Sequence, residues 1–224
     1  MYENAKEKGN MKPDVNSKEY KEAVSVEQMR ESDRYTIENF IPSLTLMYRA
    51  AMGVYDAVEW TNKRIAIVCG SGNNGGDGYA LAGILADNGI GSTIFRASEK
   101  LSADGEYYFR RAKKRGVADV YLDESTTLCG FDVVVDCVLG TGFKGEPKGN
   151  ALTAIRKINE SGAYVVSVDI NSGLDGDSGA AVTAVRSDLT VSVGFYKKGM
   201  FLRDAPRLIG ELTNVDIGIV LKEN

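Results

Sequence analysis

From Arg64 onward the chain alternates short apolar runs with stretches of helical length, and this alternation leaves few folds open. "RIAIVC" (64–69), "STIFRA" (92–97), "VADVYL" (117–122), "FDVVVDCVLG" (131–140), "AYVVSVDI" (163–170), "DLTVSVG" (188–194) and "ELTNVDIGI" (211–219) read as strands. The first is apolar almost throughout, as in a parallel sheet covered on both faces. "YALAGILADNG" (79–89), "ADGEYYFRRAKKRG" (103–116) and "ALTAIRKINESG" (151–162) read as the helices between them, the first stopped by Gly89. Strands joined through helices require right-handed crossovers. The expectation is an α/β fold: a Rossmann-like three-layer sandwich with a mostly parallel sheet.

The segment before this alternation reads differently. Ser25 with Gln28 forms a capping box that opens a helix with Val26, Met29, Ile37 and Phe40 at helical spacing. Pro42 breaks the chain, and a second helix runs from about Ser43 to Trp60. These two make a helical N-terminal extension. Residues 1–20 are polar and aperiodic and are expected to be a flexible leader, with a single domain over 21–224. A chain of 224 residues with 43% hydrophobic content suits one sizeable core.

Composition then narrows the chemistry. The chain has no His, which removes Ser-His-Asp and Cys-His catalysis, His-bound zinc and a His general base. Acid–base work falls to Asp, Glu, Lys, Tyr, Cys, water or an ion. A net charge of −4 without a basic block argues against nucleic acid as partner. No apolar run is long enough to span a membrane, and no export signal is visible. Cys69, Cys129 and Cys137 read as buried, reduced thiols of a cytoplasmic protein.

The candidate chemistry sits at the strand ends. "GSGNNGGDGYALAG" (70–83) places Gly70, Gly72 and Gly75 in a G-x-G-x-x-G pattern between a strand and a helix, where backbone N–H groups can meet phosphate. The acid that normally holds a ribose about 20 residues later is missing, since the next strand ends in Arg96. That disfavours an ordinary hydride-transfer enzyme. Asn73 and Asn74 add amide groups, while Asp77 is either a ligand-facing acid or one that favours the helix dipole. Asp136 stands in an apolar strand, where a carboxylate is costly unless backbone donors or a cation satisfy it. Asp169 repeats the oddity at the end of another strand, and open α/β sheets bind ligands beyond such ends. "GTGFKG" (140–145) offers Thr141 and Lys144 to phosphate or ribose, or is an exposed turn. Asp175 and Asp177 read as turn formers, and Lys197 and Lys198 as solvated or phosphate-neutralising lysines.

Taken together, "MRESDRYTIENF…SLTLMYRAA", "GSGNNGGDGYALA", "VVDCVLGTGFKG", "VVSVDINSGLDGDSG" and "TVSVGFYKKG" resemble the NAD(P)HX epimerase family, the YjeF N-terminal domain, from about Val24 to the C-terminus. The resemblance implies an isomerase that interconverts the R and S epimers at C6 of hydrated NADH or NADPH. Hydrated NAD(P)H is then substrate rather than cofactor, and a separate dehydratase is the implied pathway partner. It further implies that Asn73, Asn74, Gly75, Gly76 and Asp77, with Gly140, Thr141, Gly142, Phe143, Lys144, Gly145 and Glu146, bind the nucleotide. Asn74, Asp136 and Ser172 are implied to surround a potassium ion, with Asp169 at the modified ring. Asp169 and Lys144 are the expected proton carriers, and a homodimer is expected from the family. Ser71 and Asn171 depart from the family's usual Pro, and Tyr48 from its Glu. The alternative is a non-catalytic nucleotide-binding or scaffold module on the same fold.

Overall fold

The computed structural model describes residues 11–222. Seven parallel strands form one sheet: β1 (Ile65–Cys69), β2 (Ser92–Arg96), β3 (Ala118–Tyr121), β4 (Val133–Cys137), β5 (Tyr164–Val168), β6 (Leu189–Val193) and β7 (Glu211–Val215). Their order is β3-β2-β1-β4-β5-β6-β7, so the chain first steps outward from β1 to β3, then returns to β4 and steps the other way. The strand order therefore reverses between β1 and β4, which pair with Ile65 opposite Val133 and Cys69 opposite Cys137. A crevice opens at such a reversal, beyond the carboxyl ends of the two strands.

Seven α-helices surround the sheet: α1 (Lys18–Glu22), α2 (Val26–Asn39), α3 (Ser43–Ala57), α4 (Asn73–Asp87), α5 (Ala103–Lys114), α6 (Gly149–Asn159) and α7 (Ala205–Leu208). Strand residues alternate between two cores, as a period of two demands. Ile65, Ile67, Cys69, Val133, Val135 and Cys137 pack against α3 and α4, with Tyr108 and Ala112 of α5 in the same core. Ala66, Val68, Val134 and Val165 pack against Ala154, Ile155 and Ile158 of α6 on the opposite face. All seven predicted strands and the five predicted helices are present. The expected capping box is half made: Ser25 Oγ accepts from Gln28 N at 3.1 Å.

Three expectations change. The leader lies partly outside the described residues, at 1–10; of the rest, Met11 exchanges backbone hydrogen bonds with Leu212 (2.9 and 2.7 Å), and α1 starts at a Ser17 cap. Residues 11–20 are thus tied to the far edge of the sheet rather than free of it. Helix α4 begins at Asn73, not near Tyr79, so the glycine-rich "NNGGDG" is its first turn and a half rather than a loop. Cys129 is exposed, whereas Cys69 and Cys137 are buried as expected. Among the described residues no helix is long and apolar enough to cross a membrane.

Candidate functional site

A cavity of about 480 Å³ lies over the β1–β4 reversal. Four walls close it: one face of α2, the start of α3, the first turns of α4, and the loop after β4 with the end of β5. Helix α2 contributes Met29, Arg30, Asp33 and Ile37, spaced so that they share one helical stripe. The other walls bring Asn73, Asn74 and Asp77 from α4, Gly140, Thr141, Gly142 and Phe143 from the loop, and Asp169. The cavity is acidic, since Asp33, Asp77, Asp104 and Asp169 all face it while Arg30 is its lining cation.

Asp169 is the most constrained of these residues. Its φ of +67° puts a non-glycine residue in the left-handed region, which a surrounding structure must hold in place. Backbone bonds supply that hold: Asp169 N donates to Val191 O at 2.8 Å. The carboxylate is split between two environments. Oδ1 accepts a hydrogen bond from Lys197 Nζ, while Oδ2 lies toward Gly140, where an added Cβ would come within 3.8 Å of it. The same imaginary Cβ would sit 3.3 Å from Asn74 Cβ, so the bare glycine lets Asn74 and Asp169 converge on one wall.

Lys197 is a finding the sequence did not signal. Its side chain is completely buried, and Nζ also donates to Val193 O at 2.8 Å. The expectation of a solvated lysine fails because the segment after β6 turns inward, pinned by Val24 N donating to Tyr196 O and Lys198 N donating to Val24 O. Lys198 itself is exposed. A buried ammonium needs a counter-charge, and Asp169 supplies it.

The carboxyls opposite feel this pair. Burial pushes Asp77 well above the usual carboxylate range, and the charges of Asp169 and Asp33 push the same way while Lys197 opposes them. Asp33 is raised by burial and then by Asp169, again against the pull of Lys197. An acid on α2 was not singled out from sequence. The signal that could have found it is the stripe Met29–Asp33–Ile37, in which an acid interrupts an apolar i, i+4 series.

Asp136 is satisfied by hydrogen-bond donors, one of the two ways open to a carboxylate in an apolar strand. It is fully buried and faces the α6 side of the sheet, not the cavity. Oδ1 accepts from Ser172 Oγ (2.5 Å) and Val138 N (3.2 Å); Oδ2 accepts from Ser172 N (2.9 Å) and Ser167 Oγ (2.8 Å). Burial raises its carboxyl, and these four donors, led by Ser172, work against that. The network continues through Ser187 to Asn171, whose Nδ2 donates to Ser187 Oγ at 3.0 Å and whose Oδ1 accepts from Thr190 Oγ1 at 2.9 Å. Asn171, which stands in place of the family's usual Pro, is a buried bracket. Such a satisfied network rigidifies the floor beneath the cavity.

One acceptor beside it is not satisfied. Asn74 Nδ2 donates to Leu139 O at 3.0 Å, but Asn74 Oδ1 is buried and has no hydrogen-bond partner. Leu139 N in turn donates to Ser172 Oγ at 2.8 Å, which joins Asn74, Leu139, Ser172 and Asp136 in one chain of contacts. The orphaned Asn74 oxygen beside these oxygen donors is the kind of ligand a hard cation takes.

Several expected residues stand elsewhere. Lys144 is two-thirds exposed and pairs with Asp177 at 3.5 Å, away from Asp169 and outside the cavity lining. Gly145 and Glu146 are exposed and also outside it. The loop turns outward after Phe143, whose N donates to Gly140 O at 3.0 Å, and this carries the lysine away. Gly75 and Gly76 serve packing rather than lining: a Cβ on Gly75 would reach Gly70 O at 2.2 Å, and one on Gly76 would strike Met47 Cε at 2.5 Å. Asp175 is a turn former, accepting from Asp177 N and Ser178 N at 3.1 and 2.7 Å. Asp177 does more, since its Oδ1 accepts from Val26 N at 2.8 Å and ties that turn to the start of α2.

With this geometry described, similarity to known proteins can be placed on it. Residues 43–199 match the family described as YjeF-related protein N-terminus. The NAD(P)H-hydrate epimerase of Limosilactobacillus fermentum is 33% identical over 204 residues, covering 87% of this chain and 96% of that protein. The bifunctional NAD(P)H-hydrate repair enzyme Nnr of Coxiella burnetii is 34% identical over 197 residues, covering 86% of this chain but 40% of that protein. In structure the chain is similar to yeast ynu0, with a TM-score of 0.66, 21% identity and 86% of each chain covered. That last likeness speaks to the fold alone.

Proposed function

Because the chain belongs to the NAD(P)H-hydrate epimerase family, an isomerase family, we propose that its cavity interconverts the R and S epimers at C6 of hydrated NADH and NADPH. The observation that carries this reading from family to site is Asp169. It is a carboxylate held in a left-handed backbone, with one oxygen on a buried lysine and the other turned to the cavity. Such a group is positioned to take or return a proton at one defined point.

In this reading Asp169 handles the proton of the C6 hydroxyl or of the water that returns to C6. Lys197 replaces Lys144 as its cationic neighbour and acts by fixing the carboxylate's orientation. Asn73, Asn74 and Asp77, with Gly140 to Phe143, bind the nucleotide; the positive end of the α4 dipole suits its phosphates. Gly75 and Gly76 shape that helix start, and Lys144, Gly145 and Glu146 contribute from the loop's outer side. No hydride acceptor is needed for a ring that is already hydrated.

A potassium ion belongs to the same reading. Asn74, through its unpartnered Oδ1, Ser172, through its contacts with Leu139, and Asp136, which Ser172 joins to them, are the residues that would hold it. Its contribution when bound would be positive charge at the floor of an acidic cavity. Replacing potassium by tetramethylammonium, which is too large for such a site, is expected to lower the epimerisation rate several-fold. An unchanged rate would remove the ion from the account.

A homodimer and a separate dehydratase acting on the epimerised product complete the proposal, with the cytoplasm as the working compartment. The bifunctional name and greater length of the Coxiella relative are in keeping with two repair steps acting in sequence. The deciding experiment incubates the protein with the R epimer of hydrated NADPH in potassium buffer and follows the S epimer by chromatography. Conversion well above the spontaneous rate, lost in Asp169→Asn, is the expected result. A folded protein that gives no acceleration would favour the non-catalytic module.

A further inference from the structure

Two carboxyls on different walls of one cavity raise the question of how they divide the chemistry. Asp169 approaches from the sheet, at the end of β5. Asp33 approaches from α2, in the stripe Met29, Arg30, Asp33 and Ile37 that forms the outer wall. We propose that Asp33 is a second catalytic residue, the acid that protonates the departing C6 hydroxyl while Asp169 acts as base on the other side of the ring. This rests on the epimerase reading of the site.

The placement of Asp33 is built in from outside. On the flank of α2 beside the cavity stripe, Ser32 and Thr36 are fully buried, and their hydroxyls accept from Lys222 N (3.0 Å) and Val220 N (2.9 Å). Asp177 caps the start of the helix at Val26. The helix is therefore fastened along this flank and at one end, which fixes the rotation that turns Asp33 inward. The groups facing Asp33 are Asp77 on α4, Asp169, Lys197 after β6 and Asp104 on α5, with Arg30 on its own helix. Burial and the Asp169 charge favour the protonated form of Asp33, whereas Lys197 sits directly on Asp169. Two acids in one cavity with opposed environments are suited to opposite roles.

The step balances with one proton. Asp33 gives its proton to the C6 hydroxyl as the C6–O bond breaks, and the bonding pair leaves with the oxygen as water. The lone pair on N1 forms the N1=C6 bond of an iminium, and Asp33 remains as carboxylate. Water then adds to the opposite face of C6, the π pair returns to N1, and the added water loses a proton to Asp169. Exchange with cavity water moves the proton back to Asp33.

The test compares wild type, Asp33→Asn and Asp33→Glu in the epimerisation assay across pH 5 to 9. Asp33→Asn is expected to lower kcat about 10²-fold or more, with KM changed less than threefold. Asp33→Glu should recover at least tenfold over the amide, since it restores a carboxylic acid. The wild-type kcat should fall as pH rises and the acid ionises, and this basic limb should vanish in Asp33→Asn. A kcat for Asp33→Asn within threefold of wild type, or one that keeps the basic limb, overturns the proposal. If Asp33→Asn does not fold, a flat wild-type profile to pH 9, or no activity in a folded Asp33→Glu, overturns it. An inactive wild type would instead sink the epimerase reading.

Discussion

At the scale of single residues, the cavity concentrates charge in a way that stability measurements can read. Asp77 has a raised carboxyl in the folded state, so the fold disfavours its ionised form. A group of this kind leaves stability intact below its unfolded value and takes it away as pH rises toward the folded value. Asp77→Asn is therefore expected to be more thermally stable than wild type at pH 7, with an advantage that shrinks toward pH 4. The slope is at most about 1.4 kcal/mol per pH unit. Melting curves at several pH values check this, and a gap that widened toward acid pH would contradict it. Lys197→Met leaves a carboxylate in a closed site without its cation and is expected to cost about 3 kcal/mol. Adding Asp169→Asn should return part of that loss in denaturant melts while leaving epimerisation abolished. If the double variant were no more stable than Lys197→Met, the pair would not be the source of the cost.

At the scale of elements, helix α4 shows why a glycine pattern can be read correctly and its purpose misread. "NNGGDG" marks a close approach, but for all three of its glycines the approach is between parts of the protein. The Gly75 Cα lies against the carbonyl of Gly70, which is backbone and cannot move aside. Gly76 faces the end of Met47, a flexible side chain that can. Gly75→Ala is accordingly expected to destabilise by about 3 kcal/mol or more, and Gly76→Ala by about 1 kcal/mol, within the usual range for overpacking. Urea melts of the two variants test the order, and a Gly76→Ala variant that is the less stable would refute this account. The same contrast explains what the sequence revealed. Strands and helices were legible because apolar periodicity is local, and Asp136 and Asp169 were legible because acids are rare in such runs. Lys197 and Asp33 were not, since their meaning depends on contacts 28 residues away for the lysine and across the cavity from a different helix for the aspartate. Lys144 stands outside the cavity lining, paired with Asp177, for a similar reason: the outward turn after Phe143 is one that no local pattern announces.

At the scale of the whole molecule, the described ends of the chain act on the site without entering its chemistry. Near the N-terminal end, Met11 bonds to Leu212 on β7, and Val24 bridges the backbone on both sides of Lys197. Near the C-terminal end, Arg49 Nη1 donates to Ile217 O at 2.9 Å, and the segment beyond continues along α2 to meet Thr36 and Ser32. The Rossmann-like sheet supplies the floor and the crevice, but the outer wall is α2, and these strap contacts, the Asp177 cap and the packing of Val26 and Met29 orient it. Deleting residues 218–224 removes the two hydrogen bonds to α2 at about 1 kcal/mol each, together with the buried Ile219, and keeps the Arg49 contact with Ile217. The sheet should be unaffected, because its strands are bonded to one another and buried by α3, α4, α5 and α6. Hydrogen exchange is expected to show faster exchange of α2 amides with β1, β4 and β5 unchanged. In the epimerisation assay kcat/KM should fall about tenfold, as a wall that no longer holds its stripe inward presents Asp33 and Arg30 to the substrate only part of the time. Uniformly faster exchange across the sheet would mean that the strap stabilises the whole domain. Unchanged exchange in α2 would mean that the helix is held by its cap and core contacts alone.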